Sequence, residues 1–303
     1  MEEYMSLNIN HNLMAMNAAR NLSNSYNMLA TSVRRLSSGL RVGTAADDAA
    51  GLAIRELMRA EIASLNQGAR NAADAISLIQ TADGALGVID EKLIRMKELA
   101  EQAATGTYNS DQRLMLESEY QAMASEITRI ANATSFNGVH LLNGKLSGFT
   151  HNGSGMESTG KLKVHFGTGN DCSEDYYYVR IGIATASALG LGNQSDTARS
   201  IAGHAISTQS LAQAALTAIN AAIISKDKIR ASLGALQNRL ENTVASMQIQ
   251  AENIQAAEAQ ISDVDVATEM TEFVRNQILT QAAVAMLSQA NSLPQLAMQL
   301  IGG

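Results

Sequence analysis

The sequence predicts a mainly α protein: a long antiparallel helical hairpin, or coiled-coil bundle, with a small β-hairpin region in the middle of the chain. Three observations carry this. Apolar residues recur at helical spacing near both ends and through two longer inner stretches. Between about 137 and 195 that spacing disappears and Gly, Asn, Ser and Tyr take over. The composition also suits narrow helical seams better than a bulky core. Of 303 residues none is Trp, one is Pro and 4% are aromatic, and Ala, Leu, Ile and Met carry most of the 46% hydrophobic content.

Near the start, Leu22, Tyr26, Leu29, Val33, Leu36 and Leu40 advance by fours and threes and form one apolar row on a helix. Ser37-Ser38-Gly39 interrupts it. Thr44-Ala45-Ala46-Asp47 has the spacing of a capping box, and Asp47 and Asp48 suit a first turn, where the helix dipole favours carboxylates. The spacing therefore predicts a new helix from about Thr44. It is long. Ile62, Leu65, Ala69, Ala72, Ile76 and Ile79 keep heptad spacing, and after a three-residue shift Ala82, Leu86, Ile89, Leu93 and Met96 resume it, a shift that overwinds a coiled coil. Gly106 stops this helix and Asn109 to Gln112 offers the next N-cap. Leu116, Tyr120, Met123, Ile127 and Ile130 then mark a shorter amphipathic helix.

Two strands are predicted in the middle, Leu162 to Phe166 and Tyr176 to Ile183, with Gly167-Thr168-Gly169-Asn170-Asp171 turning the chain between them. Helical spacing returns from about 198 to 265 with Leu233, Leu236 and Leu240, a four-residue step to Val244, then Met247, Ala251, Ile254 and Ile261. This stretch can pair antiparallel with the earlier long helix. Leu279, Ala283, Met286, Ala290, Leu293, Ala297 and Leu300 close the chain with gap-free heptads, and Pro294 within them is placed to bend or end the helix.

Several function classes are excluded by what is missing. A net charge of −7 without a dense basic run argues against nucleic acid as a partner. No apolar stretch reaches 18 residues, so no membrane insertion is expected, and the acidic opening Met1-Glu2-Glu3-Tyr4 is unlike a cleaved signal peptide. Cys172 is alone, and the histidines at 11, 140, 151, 165 and 204 are scattered, so neither an internal disulfide nor a metal site is expected. Gly-rich stretches at 167–169 and 190–192 lack phosphate-binding patterns. Asp47 and Asp48, adjacent on a helix, would point about 100° apart and serve capping better than catalysis. No cofactor and no catalytic set is expected, and the Tyr176-Tyr177-Tyr178 run reads as strand packing.

An apolar seam at a chain end must be covered by something. Burying Leu279, Met286, Leu293 and Leu300 stabilises by roughly 6 to 12 kcal/mol, at about 1.5 to 3 per large side chain. Ordering the backbone from 279 to 300 opposes this with about 1 to 2 kcal/mol per residue. One pair of helices, 22 to 40 against 279 to 300, is thus too thin to order itself alone, and the expectation is that both ends fold when neighbouring copies cover their remaining faces.

The residues themselves carry a resemblance. Ser6-Leu7-Asn8-Ile9-Asn10-His11-Asn12, the block Arg35-Leu36-Ser37-Ser38-Gly39-Leu40-Arg41 through Asp47-Asp48-Ala49-Ala50-Gly51-Leu52-Ala53-Ile54, Phe136-Asn137-Gly138, and Gln277-Ile278-Leu279 through Gln289-Ala290-Asn291 resemble the bacterial flagellins. The similarity covers about residues 6 to 145 and 200 to 301. It implies a subunit that polymerises into a flagellar filament, with 1–44 plus 266–303 as an inner coiled-coil core. Residues 45–265 become an outer wall of long helices carrying the hairpin insertion around 137–195. The large variable outer domains of many flagellins have no room here. A secreted filament is implied, external or enclosed in a periplasm. The implied partners are other copies of the chain, an export chaperone, the type III flagellar export apparatus, and hook-associated and cap proteins.

The family's Toll-like receptor patch, a Gln-Arg-x-Arg-Glu-Leu run, aligns with Ile94-Arg95-Met96-Lys97-Glu98-Leu99. Arg95, Glu98 and Leu99 match, whereas Lys97 lacks the planar bidentate donor of Arg. The blander alternative makes Arg95 and Glu98 a solvated i, i+3 ion pair. Two rivals to the filament subunit are a hook-to-filament junction protein with similar ends and an enzyme hidden in 137–195.

Overall fold

The computed structural model describes residues 12–152, 159–171, 174–192 and 203–301, and leaves aside the side chains of 152, 159, 293, 294 and 297–301. The Ser6 to His11 block, Cys172 and the side chains of Leu293 and Leu300 lie outside the described residues. The described elements are, in order, α1 (Leu13–Ser38), α2 (Ala49–Ala104), α3 (Ser110–Ala133), β1 (Ser135–Phe136), β2 (Val139–His140), β3 (His151–Asn152), β4 (Thr159–Gly160), β5 (Leu162–His165), β6 (Tyr176–Val179), α4 (Gln209–Ser262) and α5 (Val266–Ile301). The mainly α architecture with β structure confined to the middle is the one the spacing predicts. Among the described residues the strands form three two-stranded antiparallel ladders, of which β5–β6 is the predicted hairpin, and the two shorter ladders carry no alternating apolar pattern. The chain divides into two compact units, Met1–Ala60 with Asn253–Gly303, and Glu61–Glu252.

In the first unit α1 and α5 pair antiparallel, since Asn12 Nδ2 donates to the Ala290 carbonyl at 2.7 Å while Arg35 approaches Glu269 at 3.5 Å. Asn12 also caps α1, its Oδ1 accepting from Ala15 N–H at 3.0 Å. At the other end Gly39 adopts φ 73°, which L side chains rarely take, and its N–H reaches back to the Arg35 carbonyl at 2.8 Å. The helix therefore stops where Ser37-Ser38-Gly39 predicts. Helix α5 runs past Pro294 to Ile301, so the proline does not end it.

The start of α2 corrects the capping-box reading. Thr44 to Asp47 forms a single turn in which the Asp47 carboxylate accepts from Thr44 N–H at 3.0 Å and Thr44 Oγ1–H at 2.8 Å. The helix begins at Ala49, and Asp48 is its cap, Oδ1 accepting from Ala50 N–H and Gly51 N–H at 3.1 and 2.9 Å. The Asp47 carboxylate thus makes its half of the box, but Asp47 N–H bonds the Thr44 carbonyl at 3.0 Å and not the Thr44 hydroxyl, and Arg34 on α1 binds the other carboxylate oxygen at 2.7 Å. That guanidinium and the Thr44 donors hold the Asp47 carboxyl well below the ordinary carboxylate range.

In the second unit the buried row along α2 is Leu65, Gly68, Ala72, Ala75, Ile79, Ala82, Leu86, Ile89, Leu93, Met96, Ala100 and Ala103. It keeps three-and-four steps throughout. The predicted three-residue shift is thus absent: Gly68 and Ala75 face the core where the apolar pattern pointed to their neighbours Ala69 and Ile76. Gly68 is needed there, because a Cβ at this position would lie 1.9 Å from the Phe166 carbonyl oxygen and 2.8 Å from Met247 Cε. Helix α4 begins at Gln209, later than the 198 expected, and its buried row Ala212, Ala215, Ile219, Ala222, Lys226, Leu233, Leu240 and Met247 includes a lysine.

Lys226 meets Asp90 of α2 at 2.5 Å and Asp227 at 2.8 Å, while Arg230 binds Asp83 at 2.7 Å. Both α2–α4 pairs fix the antiparallel register. The Arg230 hydrogen bonds hold the Asp83 carboxyl below its ordinary value. Its contribution to stability is therefore present above the unfolded carboxylate pKa and is lost as pH falls through the lower folded value.

Helix α3 starts at the Asn109–Gln112 box as read from the sequence, Oδ1 of Asn109 accepting from Gln112 N–H at 2.8 Å. It runs back along α2, with Arg113 donating to the Ala103 carbonyl at 3.0 Å and Glu119 meeting Arg95 at 2.7 Å. Tyr120 is fully buried, donates to the Gly203 carbonyl at 2.7 Å, and has its hydroxyl pKa pushed up by burial. In the hairpin, Val164 and Val179 are buried, and Arg239 of α4 stacks 3.7 Å from the Tyr177 ring centroid. The tyrosine run thus packs on a strand as expected.

Candidate functional site

The terminal pair is where the sequence placed most of its candidate residues. Along α1 the row turned toward α5 is Ala15, Ala18, Leu22, Ser25, Leu29, Ser32 and Leu36, in steps of three and four. Along α5 the answering row is Glu269, Phe273, Asn276, Thr280, Ala283, Leu287 and Ala290. Leu22, Leu29, Leu36, Ala283 and Ala290 of the predicted seam therefore lie in or beside this contact. Tyr26, Val33, Leu279 and Met286 are exposed along its flanks.

The pair's own seam is consequently lean. It is built largely from Ala, Ser, Thr and Asn, with Leu22, Leu29, Leu36, Phe273 and Leu287 as its large apolar members. Its polar members are accommodated without a dense network: Asn276 and Ser32 are buried, and beside them Arg35 keeps a buried Nε without a partner. Large apolar side chains lie outside it instead. Leu13, Met14, Met16, Met28, Met270, Val274, Ile278 and Val284 are exposed with the four flanking residues above. A lone pair thus encloses five large apolar side chains and leaves these twelve displayed, an unfavourable balance for an isolated helical pair.

The signature residues tie the loops of this unit together. Leu40 and Asp263 form an antiparallel bridge, Arg41 N–H donates to the Ser262 carbonyl at 2.7 Å, and Val264 N–H donates to the Gly39 carbonyl at 3.0 Å. The Arg41 guanidinium adds a hydrogen bond to the Ile261 carbonyl at 2.6 Å. Ser38 turns its hydroxyl to accept from Leu40 N–H at 3.2 Å, whereas Ser37 is exposed. Beneath the loop, Arg55 is buried and holds the Val42 carbonyl at 2.7 Å and Glu56 at 2.7 Å. Sequence reading missed Arg55, since a lone Arg on an amphipathic helix carries no periodic signal.

On α2, Arg95 is gripped by Glu98 at 2.9 Å and by Glu119 of α3 at 2.7 Å, and both hydrogen bonds push its pKa up. Arg95, Glu98 and Ile94 are exposed, but Leu99 is buried in the helical core. The pair is therefore part of a three-residue surface network and not only an i, i+3 contact.

Among the described residues no group of three or more His, Cys, Asp or Glu is placed to hold a metal ion. No described helix is long and apolar enough to cross a membrane.

Comparison with known proteins accounts for this combination. Residues 9–147 match the bacterial flagellin N-terminal helical region and residues 216–301 the bacterial flagellin C-terminal helical region. A flagellin of Halalkalibacterium halodurans is 42% identical over 97% of this chain and 99% of its own length. Flagellin FlaB2 of Treponema pallidum is 39% identical over 97% of this chain and 99% of its own. Among solved structures, a Vibrio parahaemolyticus chain assigned to the flagellar hook-associated proteins superposes with a TM-score of 0.54 over 72% of this chain and all of its own, at 15% identity, a likeness of fold alone.

Proposed function

Because this chain belongs to the bacterial flagellins, structural subunits of the flagellar filament and not enzymes, we propose that its terminal pair α1–α5 is the surface through which one copy joins the next. The observation behind this is the lean seam just described, with many small and polar residues between the helices and Tyr26, Val33, Leu279 and Met286 outside. Neighbouring copies bury those flanks in heterologous contacts, which propagate as an open helix when the rotation does not close. Residues 1–44 and 266–303 then form the filament's inner core and 45–265 its outer wall. Because the pair's own seam is lean, the ends order fully only on incorporation.

Deletion of residues 1–40 or 270–303 is expected to abolish elongation of filament seeds, measured by sedimentation and electron microscopy. Elongation by either truncated protein would sink the proposal. In the free subunit, amide hydrogens of α1 and α5 are expected to exchange far faster than those of the α2–α4 core.

Handling before assembly follows the same chemistry. Exposed apolar ends call for an export chaperone and delivery through the type III flagellar export apparatus, and the ends of the filament contact hook-associated and cap proteins. The filament is extracellular in this reading, with a periplasmic filament as the alternative that electron microscopy of cells distinguishes. Self-seeded growth of long polymers separates a filament subunit from a junction protein.

A secondary role as ligand of a host Toll-like receptor is centred on exposed Arg95 and Glu98, with Leu99 acting from the core to position the helix. Arg95→Ala is expected to weaken receptor signalling by roughly tenfold, the scale of an arginine anchor at an interface. Unchanged potency in reporter cells would rule the patch out.

A further inference from the structure

One edge of the α1–α5 pair carries three methionines, with Asn21, Arg35 and Glu272 at the equivalent places before Leu22, Leu36 and Phe273. Met14 and Met28 lie two heptads apart, each immediately before a residue of the facing row, Ala15 and Leu29. Met286 and Leu279 likewise precede Leu287 and Thr280 of the α5 row. In an antiparallel pair such positions fall on the same side of both helices, so these four side chains share an edge. All are open to solvent: Met14 is 50% exposed, Met28 57%, Leu279 46% and Met286 62%. Methionine suits a contact that must adapt, because its side chain is unbranched and its sulfur soft. The same sulfur is the one atom of that edge which a mild oxidant converts into a polar group.

We propose that Met14, Met28 and Met286 make filament growth sensitive to peroxide: oxidation of these thioethers in the free subunit blocks incorporation, and burial in the filament protects them. The inference rests on the reading that neighbouring copies cover the flanks of the terminal pair. A sulfur lone pair attacks one oxygen of hydrogen peroxide, an S–O bond forms as the O–O bond breaks, and the departing hydroxide takes up the remaining proton and leaves as water. The sulfur loses two electrons and the peroxide gains them. The resulting sulfoxide is bulkier and more polar than the thioether, so a contact that closes around the thioether no longer fits it. Leu279, between the methionines, is inert to the same reagent.

The test uses the full chain. Free subunits are treated with dilute hydrogen peroxide, quenched, mapped by peptide mass spectrometry and added to filament seeds. Once the three sulfurs are oxidised, elongation is expected to slow by about tenfold or more. Treatment with methionine sulfoxide reductases of both epimer specificities is expected to restore it. Assembled filaments given the same dose should keep the three sulfurs reduced, and the M14L/M28L/M286L protein should elongate equally before and after peroxide. Normal elongation by subunits oxidised at all three positions overturns the proposal, as does reduction of the sulfurs without recovery. Should the triple variant fail to elongate at all, the reductase arm on the natural sequence decides. The underlying assembly reading fails by a different result, elongation by subunits that lack α1 or α5.

Discussion

Gly68→Ala is expected to destabilise the second unit by about 2 kcal/mol, although the same change in a helix interior ordinarily stabilises by up to about 1 kcal/mol. The sign is what makes the result informative. Gly68 sits within α2 and faces the hairpin so closely that a methyl group would meet the Phe166 carbonyl oxygen at 1.9 Å. That oxygen belongs to backbone, which cannot swing aside as a flexible side chain would. Either β5–β6 moves away from the helix, exposing Val164 and Phe166, or α2 bows locally, and both lose buried contact. A Cβ at Gly84, also within α2, would meet nothing within 4 Å, so Gly84→Ala shows the propensity effect alone and should stabilise. Urea unfolding of the two variants side by side measures the difference. If Gly68→Ala stabilises as Gly84→Ala does, the hairpin is not packed against α2 as described.

The second large effect concerns the lysine in the helical core. Lys226 has a side chain only 2% exposed and is held by Asp90 and Asp227, the first 30% and the second 59% exposed. Asp90→Asn removes the nearer charge and leaves a buried ammonium with its more solvated partner, at an expected cost of about 3 kcal/mol. Lys226→Met is expected to be close to neutral. It extends the apolar row of α4 and leaves Asp90 free to recover water. Equal destabilisation by both variants in thermal or urea unfolding would contradict this asymmetry. The pair then marks the register between α2 and α4 together with Arg230 and Asp83, more than it adds stability.

These two sites show where sequence reading succeeds and where it stops. Leu86, Ile89, Leu93 and Met96 announce the core of α2 because each is large, apolar and at heptad spacing. Gly68 and Ala75 occupy the same row but have almost no side chain to announce them, so the pattern was drawn to Ala69 and Ile76 and a false register shift resulted. The terminal pair behaves similarly. Its facing row on α5 runs through Asn276 and Thr280, which carry no apolar signal, while Leu279 and Met286 beside them dominate the periodicity.

Periodicity therefore finds the surface that will be covered by something, and only coordinates tell which part of it is covered within the chain. Capping signals were read correctly where the loop was free, at Asn109 and Gly39. At Thr44 only half of the signal is realised: Asp47 accepts from Thr44 N–H, but Asp47 N–H turns to the Thr44 carbonyl and the helix is capped by Asp48 instead. Lys226 was illegible for the converse reason, as a charged residue at a core position resembles a break in the row.

The short bridge between Leu40 and Asp263 has a mechanical meaning. The two connecting segments, 39–48 and 263–265, are fastened to each other by backbone hydrogen bonds from Arg41 to Ser262 and from Val264 to Gly39. A pull on α1 or α5 therefore cannot unspool one connector while the other stays slack. It must shear several hydrogen bonds at once, with the Arg41 side chain on the Ile261 carbonyl as a further tether. Such a two-stranded clasp makes both connectors share a load applied to either helix.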